Sequence, residues 1–322
     1  MFKVYIPDAV YQDIISTEEK KAVASRTYLY KLLKQQPVQR LSAADSEHFK
    51  AHPDRVLKNP SALYILDVTP AEALSIQRNY GVVCLSSALP SITPLIDVND
   101  IHRPEKEMPL GRGWDTVLDS VEKLPSNALI LIDRYLFSES NAAYGNGFDN
   151  VLAILTELLP QQLDKDTKYH VTVIYAKQKD KKEIYTFQEV ATQLNDLKAM
   201  LNRPYDITME LLRITEGCSI YYDFHDRFIL SNYYCVEASH KLAAFDKDVA
   251  TARQTILPMT LFTESSLSGS STPPLDAITQ AATTLANFSK SLSSLSDHNS
   301  YCYAVNGQCM EKCIAIRNRL IK

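Results

Sequence analysis

One run constrains the fold of this chain more than any other: Ala128-Leu129-Ile130-Leu131-Ile132, almost continuously apolar and ending in Asp133. Successive side chains of a strand leave opposite faces, so a strand with one face in water alternates apolar and polar residues. A strand that is apolar at every position needs cover on both faces, which is the situation of a buried parallel strand. The run therefore predicts a parallel sheet inside an α/β protein. Its terminal carboxylate, Asp133, falls at the strand end where open α/β sheets place their ligands.

The residues around this run extend the pattern. Asp149 to Leu159 has helical spacing through Val151, Leu152, Ile154, Leu155 and Leu158. Tyr169 to Tyr175 reads as the next strand, Phe187 to Leu201 as a helix and Tyr205 to Ile214 as a strand. An earlier series precedes it. Phe2 to Ile6 reads as a short strand, followed by a helix-prone stretch from Gln12 to about Gln36, and Ala62 to Asp67 as a strand. Thr69-Pro70-Ala71-Glu72 has the make-up of a helix start, with a capping threonine, proline in the first turn and glutamate at the third position. That helix should end near Tyr80-Gly81, before a strand at Val82 to Leu85, and strand–helix–strand predicts a parallel pair.

The expected class is α/β. An N-terminal α/β unit spans residues 1–110, a central mixed sheet flanked by helices 111–262, a Ser/Pro linker 263–274 and a helical extension 275–322. Within the extension, Leu275 to Leu295 and Gln308 to Ile321 are both read as helices.

Composition narrows the function. A formal net charge of −4 argues against a surface coated in basic residues, so contact with nucleic acid must be local. Eight glycines leave little material for a glycine-rich nucleotide loop, and Gly145-Asn146-Gly147 reads as an ordinary loop. No apolar run is long enough to span a membrane. The amino-terminal residues lack the apolar core of a signal peptide, so a cytoplasmic protein with reduced thiols is expected.

The stretch from Tyr221 to Asn232 carries the sharpest chemistry. His225 and Arg227 are two apart, so on a strand both leave the same face. An imidazole beside a fixed cation suits attack on a phosphodiester, the nucleophile reaching phosphorus while the cation holds charge on the oxygens. Asp223 shares the face of His225 and could orient its ring, whereas Asp226 points the other way. The same residues would also suit a half-buried edge strand facing water.

With these residues in place, the segment from Leu129 to Tyr234 resembles one repeat of the phospholipase D-like superfamily. Its members carry His, any residue, Lys, four residues, then Asp; the matching positions here are His225, Arg227 and Asn232. The form His-Asp-Arg-Phe is also similar to degenerate members, such as the carboxy-terminal domain of microtubule-interacting and transport proteins, which act as binding modules. Arg227 keeps the cation and adds a two-donor grip on phosphate. Asn232, however, replaces the motif carboxylate. Ser239, His240 and Leu242 stand where active members have glycine, a small residue and asparagine. Active members use two histidines, so the resemblance implies that a hydrolytic form needs a homodimer, or a second histidine such as His240.

Other candidates are weaker in kind. Lys177, Lys179, Lys181 and Lys182 form a basic turn that could gather a polyanion, diluted by Asp180 and Glu183. His298, Cys302, Cys309 and Cys313 could furnish a tetrahedral metal site, or could simply be small apolar residues near one another. Asp8, Asp67 and Asp133 each follow a strand, the pattern of a metal-dependent nuclease. The expected function is binding of a phosphate-containing partner, a nucleic acid or nucleotide, or an interaction module. The enzyme alternative is a metal-independent phosphodiesterase or nuclease with His225 as nucleophile, Arg227 as clamp and Asn232 as orienting partner. No cofactor is expected in either case.

Overall fold

The computed structural model describes residues 2–96, 124–138, 147–177, 183–216, 227–238, 256–262, 301–310 and 315–321, together with Trp114, Leu118, Leu242 and six residues between 283 and 290. The protein is α/β. A four-stranded sheet and an eight-stranded sheet share one apolar core.

The small sheet contains β1 (Val4–Pro7), β2 (Val38–Leu41), β3 (Leu63–Leu66) and β4 (Val83–Ser86), in the order β2-β1-β3-β4 with every pair parallel. Around it lie α1 (Asp8–Glu18), α2 (Tyr28–Gln35), α3 (Ala43–Ala51) and α4 (Pro70–Tyr80). The expected parallel pair is β3 with β4. Helix α4 starts on the capping box read from Thr69 and Glu72, and it ends at Gly81 in the left-handed conformation, φ +61°.

The helix-prone stretch from Gln12 to Gln36 is not one helix. Glu18, buried at the end of α1, accepts hydrogen bonds from Lys21 Nζ (2.6 Å) and Thr27 N (2.7 Å), while the Thr27 hydroxyl caps α2. These local bonds hold a turn that separates the two helices. Strand β2 and helix α3 follow, neither of which the apolar pattern announces: β2 has only Leu41 buried.

The large sheet contains β5 (Ala128–Ile132), β6 (Tyr169–Lys177), β7 (Ile207–Thr215), β8 (Arg227–Ser231), β9 (Tyr234–Ala238), β10 (Ile256–Thr260), β11 (Tyr301–Val305) and β12 (Gln308–Met310). Their order is β10-β9-β8-β5-β6-β7-β11-β12. The three central strands β5, β6 and β7 are parallel, and those on either side are antiparallel. Strand β5 is buried at all five positions, as its apolar run requires. Alternate residues serve different cores. Leu129 and Leu131 join the core shared with the small sheet, and Ile130 and Ile132 join a second cluster on the other face. Helices α5 (Gly147–Leu158) and α6 (Phe187–Met200) contribute Val151, Ile154, Leu155, Val190 and Leu194 to the shared core.

The carboxy-terminal part corrects the expected helical extension. Residues Thr283, Thr284, Ala286, Asn287, Ser289 and Lys290 are helical, in line with the first helix. The second, read over Gln308 to Ile321, is not. Asn306 and Gly307 both have positive φ, 48° and 78°, and turn β11 into β12 as a two-residue hairpin. Strand β11 pairs along β7, so this segment completes the large sheet instead of forming a separate tail. Residues 315–321 then fold back onto the second cluster through Ile316 and Ile321. The linker at 263–274 lies outside the described residues.

Candidate functional site

Strands β5 and β6 both end at one edge of the large sheet, and β8, running the other way, begins there. Register sets the spacing. Ile132 is opposite Phe228, so Asp133 and Arg227 come next on neighbouring strands, and Ile132 is also opposite Ile174 on β6. Three of the candidate residues, Asp133, Lys177 and Arg227, thus share one strand edge.

Asp133 is fully buried, and its carboxylate organises backbone. Oδ1 accepts from Tyr135 N at 2.8 Å and Oδ2 from Leu242 N at 2.8 Å. The first bond shapes the turn after β5, and the second draws the chain just beyond His240 to the same edge. That turn presents Tyr135, over whose ring the Arg227 guanidinium sits at 5.4 Å from the centroid. Stacking on the ring holds the planar guanidinium in one orientation at this strand end. Lys177 closes β6, with Nζ 3.1 Å from Glu183 Oε2; Glu183 also accepts from Arg213 Nη1 at 2.7 Å. Sequence reasoning missed Tyr135 and Arg213 and read Glu183 only as diluting the basic turn, since pairing alone brings the three together.

Asn232 has a different place and task. It lies past the other end of β8, roughly 16 Å along the strand from Arg227. There it is fully buried and makes four hydrogen bonds. Oδ1 accepts from Asn127 N (3.1 Å) and Ala128 N (3.3 Å), while Nδ2 donates to Pro60 O (2.7 Å) and Asn127 Oδ1 (3.1 Å). An amide side chain offers two donors and two acceptor positions, so its capacity is used. The expectation that Asn232 orients His225 is therefore corrected: its bonding is spent joining the large sheet to the small one. Tyr233 works beside it, its hydroxyl donating to Ala62 O (2.8 Å) and accepting from Val83 N (2.8 Å).

His225, Asp223, His240 and Lys179 lie outside the described residues, as do Asp226, Lys181, Lys182, His298 and Cys313. Cys302 and Cys309 are found on β11 and β12, not on a helix as expected for Cys309. Among the described residues no three His, Cys, Asp or Glu side chains form a group able to hold a metal ion. Asp8 and Asp67 follow β1 and β3 of the small sheet, whereas Asp133 follows β5 of the large one. Asp8 pairs with Arg40 at 3.1 Å, and Asp67 accepts from the Ser87 hydroxyl at 3.4 Å. Among the described residues no helix is long and apolar enough to cross a membrane.

A scan against protein-family models finds no family that matches this chain, and no curated protein matches it either.

Proposed function

We propose that this chain binds a phosphate-bearing partner, a nucleic acid or a nucleotide, at the strand edge that carries Asp133, Lys177 and Arg227, and that it does so without turning the partner over. The observation that carries this reading is the position of Arg227. It is a permanent cation, stacked on Tyr135 at the carboxyl ends of parallel strands, where open α/β sheets bind ligands. Lys177 adds a second cation on the next strand but one, and the Asp133 turn fixes the backbone between them.

Binding is favoured over hydrolysis because Asn232, the counterpart of the motif carboxylate in the phospholipase D-like resemblance, is committed to the joint between the sheets. Losing a charge-assisted contact to phosphate costs about 1.5–3 kcal/mol, so Arg227→Ala should weaken binding by roughly ten- to a hundredfold. The test uses purified protein with labelled single- and double-stranded DNA and RNA, with and without chelator, on native and denaturing gels. Retarded bands without cleavage, weakened by Arg227→Ala, are expected. Chelator-resistant cleavage that disappears in His225→Ala would replace this reading with a histidine phosphodiesterase, and the absence of both shift and cleavage would remove nucleic acid from it.

A further inference from the structure

Residues 175, 213 and 302 form a row across β6, β7 and β11, Tyr175 opposite Arg213 and Arg213 opposite Cys302. The guanidinium of Arg213 is held on three sides. Nη1 donates to Glu183 Oε1 at 2.7 Å, the Phe187 ring lies 5.5 Å away, and Nη2 donates to Cys302 Sγ at 3.0 Å. A cation fixed in this way complements negative charge on sulfur, and the thiolate is the reactive form of cysteine. Among the described residues the buried Tyr175 hydroxyl has no hydrogen-bond partner. Burial pushes its pKa up, Arg213 opposes the rise, and Glu183, Cys302 and Cys309 add to it.

Cys309 stands on the hairpin's outer strand, exposed, its thiol donating to Gln188 Oε1 at 2.7 Å. Ala304 is opposite Cys309, which places Cys302, two residues before Ala304, on the same face and diagonal to Cys309. Diagonal partners on antiparallel strands have Cβ atoms about 7 Å apart or less, and a disulfide needs about 4 Å. Strand β12 is three residues long, exposed at each, and is the last strand at its edge of the sheet, so a small shift can close the gap.

We propose that Cys302 is a peroxide-reactive thiol and that Cys309 resolves it to an intramolecular disulfide. The Cys302 thiolate attacks one oxygen of a hydroperoxide. The O–O bond breaks, the other oxygen leaves as an alcohol or water with the thiol's proton, and Cys302 becomes a sulfenic acid. Cys309 sulfur then attacks Cys302 sulfur. The S–O bond breaks, hydroxide leaves as water with the Cys309 proton, and the two thiols have given two electrons to the peroxide.

The whole protein, reduced and then exposed to hydrogen peroxide, is alkylated, digested with trypsin without reductant and read by mass spectrometry. One tryptic peptide, 291–312, holds both cysteines, while Cys313 falls in the next. The expected result is rapid loss of two hydrogens from that peptide, slowed about tenfold in Arg213→Gln. Cys309→Ser changes an exposed position and keeps the test valid if the Arg213 variant does not fold; its Cys302 should accumulate a dimedone adduct. Oxidation no faster at Cys302 than at other accessible cysteines, or a cross-link running through Cys313 instead, would overturn the proposal.

Discussion

Asn232 illustrates how one side chain can look catalytic in sequence and act as a fastener in structure. Its spacing from His225 imitates a motif position, yet its four hydrogen bonds tie Asn127 and Ala128 of the large sheet to Pro60 of the small one. A carboxylate placed here by Asn232→Asp would remove both donors and set a charge beside Pro60 O and Asn127 Oδ1. Each buried group left unpaired costs about 1–3 kcal/mol. Urea unfolding should therefore show a loss of roughly 3 kcal/mol, with no gain of phosphodiesterase activity; wild-type stability in this variant would contradict the fastener role. Glu210 is a second residue that no motif reveals. It is buried on the face of the large sheet that receives residues 315–321, where it accepts from Thr172, Tyr303 and the backbone N–H of Arg317. Burial pushes its pKa above the ordinary 4.5, its hydrogen bonds opposing the rise. A carboxyl with a raised folded pKa contributes stability below its unfolded pKa and loses it as pH climbs through the folded one. Glu210→Gln should accordingly flatten the fall in urea midpoint as pH rises above about 4.5. An unchanged pH profile would show that other groups set it.

Elements were legible where their signals are local. The Thr69–Glu72 capping box, the glycine that ends α4 and the fully apolar β5 are short-range patterns, and each is found as read. The hairpin of β11 and β12 also had a local signal, Asn306-Gly307, one of the strongest short turn signatures. Helical spacing of the apolar residues after it masked that signal. Partnership between distant segments had no such trace. Nothing near Tyr301 states that it pairs with Ile214, and nothing in Arg227 predicts that Tyr135 lies beneath it. The candidate site was legible as residue types, Asp133, Lys177 and Arg227, while the contacts that arrange them come from sheet order. Gly81 shows how tightly an element end can be specified. Its φ is +61°, and a Cβ there would stand 2.1 Å from Ser126 O. Gly81→Ala should cost about 3 kcal/mol or more by thermal or urea unfolding, and a neutral outcome would mean that the junction between α4 and the large sheet yields easily.

At the scale of the molecule, the sheets are not independent units. Their shared core includes Val4, Ile6, Leu63 and Ile65 from one and Leu129, Leu131, Val171 and Val173 from the other, with Phe2 and Tyr233 both packed on Phe262. A single cooperative unfolding transition follows from that continuity. Ending the chain at residue 300 would strip β11 from β7 and uncover Glu210, and calorimetry should register broad loss of structure rather than a mere change of assembly. The proposed ligand site lies at the opposite strand ends of the large sheet, and Arg227 is the residue on which that proposal turns. The most direct test is fluorescence anisotropy of a labelled oligonucleotide titrated with wild-type protein and with Arg227→Ala across a series of salt concentrations. The expected result is affinity that falls as salt rises, about tenfold or more weaker in the variant, with a shallower salt slope and an intact oligonucleotide throughout. Equal affinity and equal salt slope in the two proteins would contradict a phosphate site at Arg227.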